Sequence, residues 1–439
     1  MKGMVVSFAI FALLLAPIAA TGLASAAGQD RTDVVVDQGS TDRFGGGEWV
    51  SVRSGDARVA VLYGTPAHPN RIVVFAEYKR YLGGAEIYDE QGNYLGRRGI
   101  PVFTVFGQSL DGLVEFQDTN GDGLLNFRTL NATDVSDTPV KLIGLRHLGW
   151  TLSGLTQTNV TGTTYVNFTV SAESVPYDLV WSSAFPRRGI PTDGSVGRIG
   201  FTFHLTVNVH EITAEVPWFR VTVSSSATHE ITAVERLANH TLSGSAVAMG
   251  AKYDHAVDGW DFADAANKLA LENGLLYGNY IPERVVDFIH KAFYHSTVSD
   301  QDRFHRGENV PTEDRPTLIT RDHVYLADSW ERVGRYVWVS DVIVDGMTQP
   351  LVFQVQGGRP DTWTHGGAVF VGFHLRAAFI YPAGQSIVHD PAIDAVVASY
   401  SIGTVANLTP LTVLALQLLI AGVAIGPALW LRAKGRTPR

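Results

Sequence analysis

The chain has no cysteine. That removes disulfides, zinc–thiolate centres and thiol nucleophiles together. Charge is also sparse, at 18% of 439 residues, and most of it is acidic. Between Gly28 and Pro410 there are 29 basic and 43 acidic residues, a balance of −14 that suits no phosphate backbone. Nucleic acid is therefore not an expected partner. No His-Glu-x-x-His helix motif, Gly-x-Ser-x-Gly elbow, phosphate-binding P-loop or dinucleotide fingerprint occurs, so the familiar hydrolase and nucleotide-binding signatures give no lead.

Long apolar runs are confined to the two ends. Residues 1–27 begin Met1-Lys2, continue "MVVSFAIFALLLAPIAA" and close on small residues, the layout of a secretory signal peptide. Leu411 to Leu431 holds 21 residues without a charge. As a helix it covers about 30 Å, the thickness of a bilayer core. Arg432, Lys434, Arg436 and Arg439 follow, which places 432–439 in the cytoplasm. The expected organisation is a signal peptide, an extracellular part, a single transmembrane helix within 407–431 and a basic tail. The membrane is thus one expected partner.

The extracellular part reads as β structure. "RVAVLY", "RIVVFAEY", "VFTVF" and "GLVEF" are short, rich in β-branched and aromatic residues, and bounded by Gly, Pro, Asn and Asp. In "GRIGFTFHLTVNVHEI", Phe201, Phe203, Leu205, Val207 and Val209 alternate with Thr202, His204, Thr206, Asn208 and His210. Close spacing without intervening helices predicts an antiparallel β-sandwich. Length suggests a domain of residues 28–174 and a second of 175–406, with a soft break near 172–176; one extended sandwich is the alternative. Two short helices are expected around 261–295. The first, "DFADAANKLALENG", takes Asp261 as its cap and ends at Gly274; the second starts at Pro282.

One short stretch concentrates oxygen. In "FQDTNGDGLLNFRT", Asp118, Asn120 and Asp122 alternate, Gly123 follows, and Asn126 comes three residues later. This resembles the calcium loop of EF-hands and dockerins over about a dozen residues. The resemblance implies calcium held by Asp118, Asn120, Asp122, the Leu124 carbonyl and Asn126, because a hard cation needs six to eight convergent oxygens. The twelfth position is Thr129 instead of a bidentate Glu, and the flanks read as strands. Asp134 or Asp137 would complete the shell. Without those ligands the stretch is an Asx-rich turn.

Asn131, Asn159, Asn167 and Asn239 stand in Asn-x-Thr sequons and are the expected glycosylation sites; a fifth sequon, at Asn407, adjoins the membrane. His204 and His210 lie about 20 Å apart on one strand face, too far to share a metal. His290, His295 and His365 suggest no shared site. Asp258, Asp261, Asp264, Glu272, Glu283 and Asp287 are dense enough to supply a paired-carboxylate mechanism. Trp330 and Trp363 offer contact surface, whereas Trp338 reads as core. The expectation is a glycosylated, membrane-anchored cell-surface protein that binds a glycan or a surface protein, or builds the envelope. A membrane-tethered glycan hydrolase is the alternative.

Overall fold

Alternation of apolar and polar residues becomes strand after strand in the computed structural model. It describes residues 34–400 apart from 42–45, 56, 126–136, 183–184, 191–193, 227–229, 283–284, 286–287, 289–322, 328–331 and 366–367. In chain order the strands are β1 (Val34–Thr41), β2 (Gly47–Ser54), β3 (Ala57–Tyr63), β4 (Ile72–Asp89), β5 (Tyr94–Gln117), β6 (Thr138–Gly144), β7 (Thr151–Val160) and β8 (Thr163–Pro176). Next come β9 (Leu179–Ser182), β10 (Phe185–Ile190), β11 (Ser195–Val216), β12 (Trp218–Val223), β13 (Ile231–Arg236), β14 (His240–Asp258) and β15 (Lys268–Pro282). The last are β16 (His323–Ala327), β17 (Arg332–Trp338), β18 (Asp341–Val344), β19 (Met347–Pro350), β20 (Val352–His365), β21 (Ala368–Pro382), β22 (Ser386–His389) and β23 (Pro391–Tyr400).

The strands form two sheets. The larger runs β1-β2-β3-β4-β5-β15-β21-β20, with β6, β9, β10, β12 and β13 attached at its sides. The smaller runs β16-β17-β23-β14-β11-β8-β7, with β18, β19 and β22 attached. Among the described residues every pairing is antiparallel except β12 beside β4.

One continuous apolar core lies between the sheets. Phe201, Phe203, Leu205 and Val207 of β11 meet Val74, Leu271, Leu375 and Phe379 of the larger sheet within it. Each of those β11 side chains is fully buried, and burial of a side chain that size contributes about 1.5–3 kcal/mol. A core this large explains how the chain folds without disulfides. Trp338 is in it, as its apolar strand suggested. The anticipated break at 172–176 falls inside β8, and the core takes residues from both sides of it.

The first expected helix is not there. Lys268–Pro282 is instead the central strand β15, paired with β5 on one side and β21 on the other. Its apolar residues explain this: Leu269, Leu271 and Leu275 recur at strand spacing and face the core. Residues 259–267 form a turn whose N–H groups go elsewhere. Asp261 N donates to Tyr177 Oη (3.0 Å), Ala263 N to Glu115 Oε1 (2.8 Å) and Ala266 N to Asp264 Oδ1 (2.8 Å). The Asp261 side chain is 85% exposed and caps nothing. Of the second expected helix, Val285 and Phe288 are helical, and Phe288 packs edge-on against Phe219. Its remainder to 295 lies outside the described residues, as do the expected signal peptide, transmembrane helix and tail. Among the described residues no helix is long and apolar enough to cross a membrane.

Candidate functional site

The oxygen-rich loop leaves the end of β5. Asp118 organises it: Oδ1 accepts from Gly121 N and Oδ2 from Gly123 N, both at 2.9 Å. Gly121 and Gly123 have φ of +72° and +77°, the left-handed conformation that glycine adopts without cost. Asn120 Oδ1 accepts from Asp122 N (3.1 Å), and Asp122 Oδ1 accepts from Leu124 N (2.8 Å). Lys268, the first residue of β15, reaches over and donates to Asp118 Oδ2 at 2.7 Å. Burial acts to raise the Asp118 carboxyl, but the Lys268 contact and the two backbone bonds together hold it below its ordinary range.

These are the residues expected to hold calcium, and the structure brings Asp118, Asn120, Asp122 and Leu124 together. Asn126, Asp134 and Thr129 lie outside the described residues. Asp137 bonds Thr119 N at 3.1 Å, so it adjoins the loop as anticipated. The oxygens, however, are turned onto backbone N–H groups, and a lysine ammonium supplies the positive charge. No three acidic or histidine side chains group as metal ligands among the described residues.

A second polar cluster lies on the outer face of the larger sheet. Leu110 pairs with Asn273 and Gly112 with Glu272, so Asp111 is an extra residue in β5, a β-bulge. The bulge turns Asp111 outward beside Glu272. Arg71, just before β4, bonds Asp111 Oδ1. Arg376 on β21 faces Glu272 Oε1 at 3.6 Å. Burial is the main cause that pushes the Glu272 carboxyl up; Arg376 opposes this and Asp111 adds to it. Between these strands Gly274 is closely surrounded. A Cβ there would stand 2.7 Å from Ser109 Oγ and 3.4 Å from both Asp111 Oδ2 and His374 Nε2. Of this cluster only Glu272 was singled out from the sequence. The signal for Asp111 was present: Leu110 and Leu113 both enter the core although three residues apart, which a regular strand forbids.

The interior holds two further polar groups, both closed to solvent. Gln108 Nε2 lies 2.6 Å from Tyr253 Oη, 2.8 Å from Tyr336 Oη and 2.9 Å from Asn273 Oδ1, which ties the two sheets together. His255 and His389 face each other across β14 and β22, with Tyr381 Oη at 3.4 and 3.3 Å from their Nδ1 atoms. His389 Nε2–H donates to the Val339 carbonyl (3.1 Å), which leaves its Nδ1 to accept from Tyr381. Burial lowers His255 to about 3 and His389 to about 4, so both are neutral. Neutral, buried imidazoles between sheets serve packing.

The other expected residues are dispersed. His204 is held between Asn167 Oδ1 (2.8 Å) and Asp254 Oδ2 (3.0 Å), while His210 is exposed. Asp258 accepts from Ser386 Oγ and Asp264 caps its own turn. Asn159 and Asn239 are exposed, Asn167 is half-buried on β8, and Asn131 and Asn407 lie outside the described residues. The same holds for His290, His295, Glu283, Asp287 and Trp330, and for the side chains of Trp363 and His365. No protein-family model matches this chain, and no curated protein matches it.

Proposed function

We propose that this chain is a cell-surface β-sandwich, anchored by its C-terminal apolar segment and N-glycosylated, that acts by binding rather than by turnover. The observation that carries the reading is the state of the two carboxylates that come together. Asp111 is tied to Arg71, and Glu272 faces Arg376. Each carboxylate thus has an arginine beside it, the arrangement of an ion-pair network more than of a free acid–base pair. The remaining conspicuous ionisable groups are spent on structure: Asp118 on its loop, Glu115 on the 259–267 turn, the buried histidines on packing. A second reading, a glycan hydrolase, draws on the same pair. An arginine-paired Asp111 beside a Glu272 pushed up by burial separates two carboxylates in the sense that acid–base catalysis requires. Calcium belongs to the proposal as a structural ion of the 118–126 loop, where it would take the place of the Lys268 ammonium.

Protease added to intact cells tests the reading. It should digest the 28–410 region and spare a tag fused after Arg439. Released fragments should exceed their polypeptide mass at the exposed Asn159 and Asn239 before the half-buried Asn167. A protected 28–410 region would end the surface assignment. Release of reducing ends from cell-wall glycan that Glu272→Gln abolishes would replace binding with hydrolysis.

A further inference from the structure

We infer that the free edge of β7 pairs antiparallel with β7 of a second copy of this chain, and that a glycan on Asn159 holds the two edges apart. The inference rests on the N-glycosylated, membrane-anchored reading above and assigns that modification a task. Three observations support it.

β7 ends the smaller sheet and, among the described strands, is bonded to β8 alone. Every residue of it except Leu152 is exposed, so the edge lies open. Alternate residues turn their N–H and C=O away from β8, a row of groups ready for another strand. Such edges are ordinarily blunted by charge, by proline or by shortness. The other strands with one neighbour follow that rule. β1 carries Asp37, β10 Arg187, β13 Glu235, β20 Arg359 and β19 Pro350, and β16 is 5 residues long. The β7 sequence, "TLSGLTQTNV", has none of these protections.

The second observation is that the strand is complementary to itself. Gly154 and Leu155 form a bulge against β8, and beyond it Thr156–Val160 is regular. An antiparallel pairing centred on Thr158 sets Thr158 against Thr158 of the second copy, and Gln157 against Asn159 of the second copy. Thr–Thr contacts across strands are favourable, and the two amides can bond each other. The lack of charge matters most here, because in a self-pairing a charge near the centre meets its own sign. The acidic excess of the chain repels copies elsewhere, but not at this edge. Leu155, Val160 and Tyr165, all on this hairpin, are also among the large apolar side chains left exposed.

The third observation is the place of the sequon. Asn159-Val160-Thr161 runs from the end of β7 into a turn in which Thr161 and Gly162 have φ of +48° and +79°. Asn159 is exposed and stands inside the stretch that would pair. Paired strands lie about 4.8 Å apart, a space that a sugar chain on Asn159 fills. The glycan thus takes the part that charge and proline take on the other edges. Copies anchored in one membrane meet at high local concentration, so even a contact as short as Thr156–Val160 needs such a guard.

The test traps the contact with a single thiol, which a cysteine-free chain permits. The full chain is produced in an N-glycosylating host and oxidised in its own membranes with copper phenanthroline. In an Asn159→Gln background, Thr158→Cys should form a disulfide dimer roughly tenfold faster than Ser153→Cys. Both positions are exposed, but Thr158 meets itself at a spacing that a disulfide accepts, whereas Ser153 lies beyond the bulge. With the sequon intact and the glycan mass confirmed on Asn159, Thr158→Cys should lose that advantage. Equal rates for the two thiols without the glycan would overturn the pairing. Fast oxidation of Thr158→Cys in chains that carry the glycan would overturn its role as guard. If the wild-type mass shows no glycan on Asn159, the glycosylation reading fails and the guard with it. The pairing is then still decided by Thr158→Cys against Ser153→Cys, so the two failures are separable.

Discussion

Glu115 is the best place to test how this fold holds together. Its side chain is fully buried on β5 and accepts from three donors of the 259–267 turn. Oε1 takes Ala263 N (2.8 Å) and Asn267 Nδ2 (2.6 Å), and Oε2 takes Trp260 Nε1 (3.0 Å). The Lys141 ammonium stands 3.9 Å from Oε2, and 5.0 Å above the Tyr177 ring. Glu115→Ala strands these donors and leaves Lys141 without its buried counter-charge. Each unsatisfied donor costs about 1–3 kcal/mol, and breaking a buried ion pair about 3–5. The terms overlap, since the turn relaxes once, so the expected total is about 4 kcal/mol. Glu115→Gln keeps an oxygen for Ala263 and Asn267 but sets an NH2 against the Trp260 N–H, and should cost about 2 kcal/mol. Equilibrium unfolding in guanidinium should show the midpoint falling in that order with the slope unchanged. If Glu115→Ala lies within ~1 kcal/mol of the wild type, the carboxylate does not hold the turn and the reasoning is refuted.

The buried histidines give a pH prediction. Unfolded histidine takes a proton near pH 6.5, whereas folded His255 and His389 resist until about 3 and 4. The unfolded chain therefore binds more protons below neutrality, and stability from these groups is lost as pH falls from about 7 toward 4. Each accounts for about 2 kcal/mol between pH 7 and 5. Glu77, raised by burial to about 7, works in the opposite sense, so the histidine share is read as a difference: His255→Phe should narrow its stability gap to, or overtake, the wild type by that amount on acidification. A constant gap would mean that His255 is not held neutral. For the loop, chelator-stripped protein should melt higher in calcium, by about 2.7 kcal/mol at one hundred times the dissociation constant. Lys268→Met should enlarge the response and Asp122→Ala abolish it; melting indifferent to millimolar calcium in wild type and Lys268→Met alike would reduce the loop to an Asx turn.

Much of the β architecture could be read from the chain because it depends on local alternation. The apolar set of β11 enters the core as its spacing predicts, since a strand places alternate residues on one face whatever its neighbours are. The 261–274 helix failed for the opposite reason. Asp261, the alanines and the closing glycine are local helix signals, but what decides the segment is distant. Glu115 lies 148 positions from Ala263 and takes the N–H that would have started the helix. The strand spacing of Leu269, Leu271 and Leu275 was visible, and was outweighed by a cap signal that the folded chain does not use.

The two polar clusters divide in the same way. Asp118, Asn120 and Asp122 were legible because their spacing is local. What neutralises Asp118 is Lys268, 150 positions away, and no spacing rule connects them. That contact changes the chemistry of the loop, because a cation entering it must compete with an ammonium already bonded to the leading carboxylate. Asp111, Glu272 and His374 come from three strands that are neighbours only in the sheet. Each alone is an ordinary polar residue of a strand. The bulge that brings Asp111 to the outer face also spares Leu110 and Leu113 for the core, so packing and the polar cluster arise from one irregularity. A Gly274→Ala substitution would set a Cβ 2.7 Å from Ser109 Oγ, on the strand that carries the bulge, and so would disturb both at once.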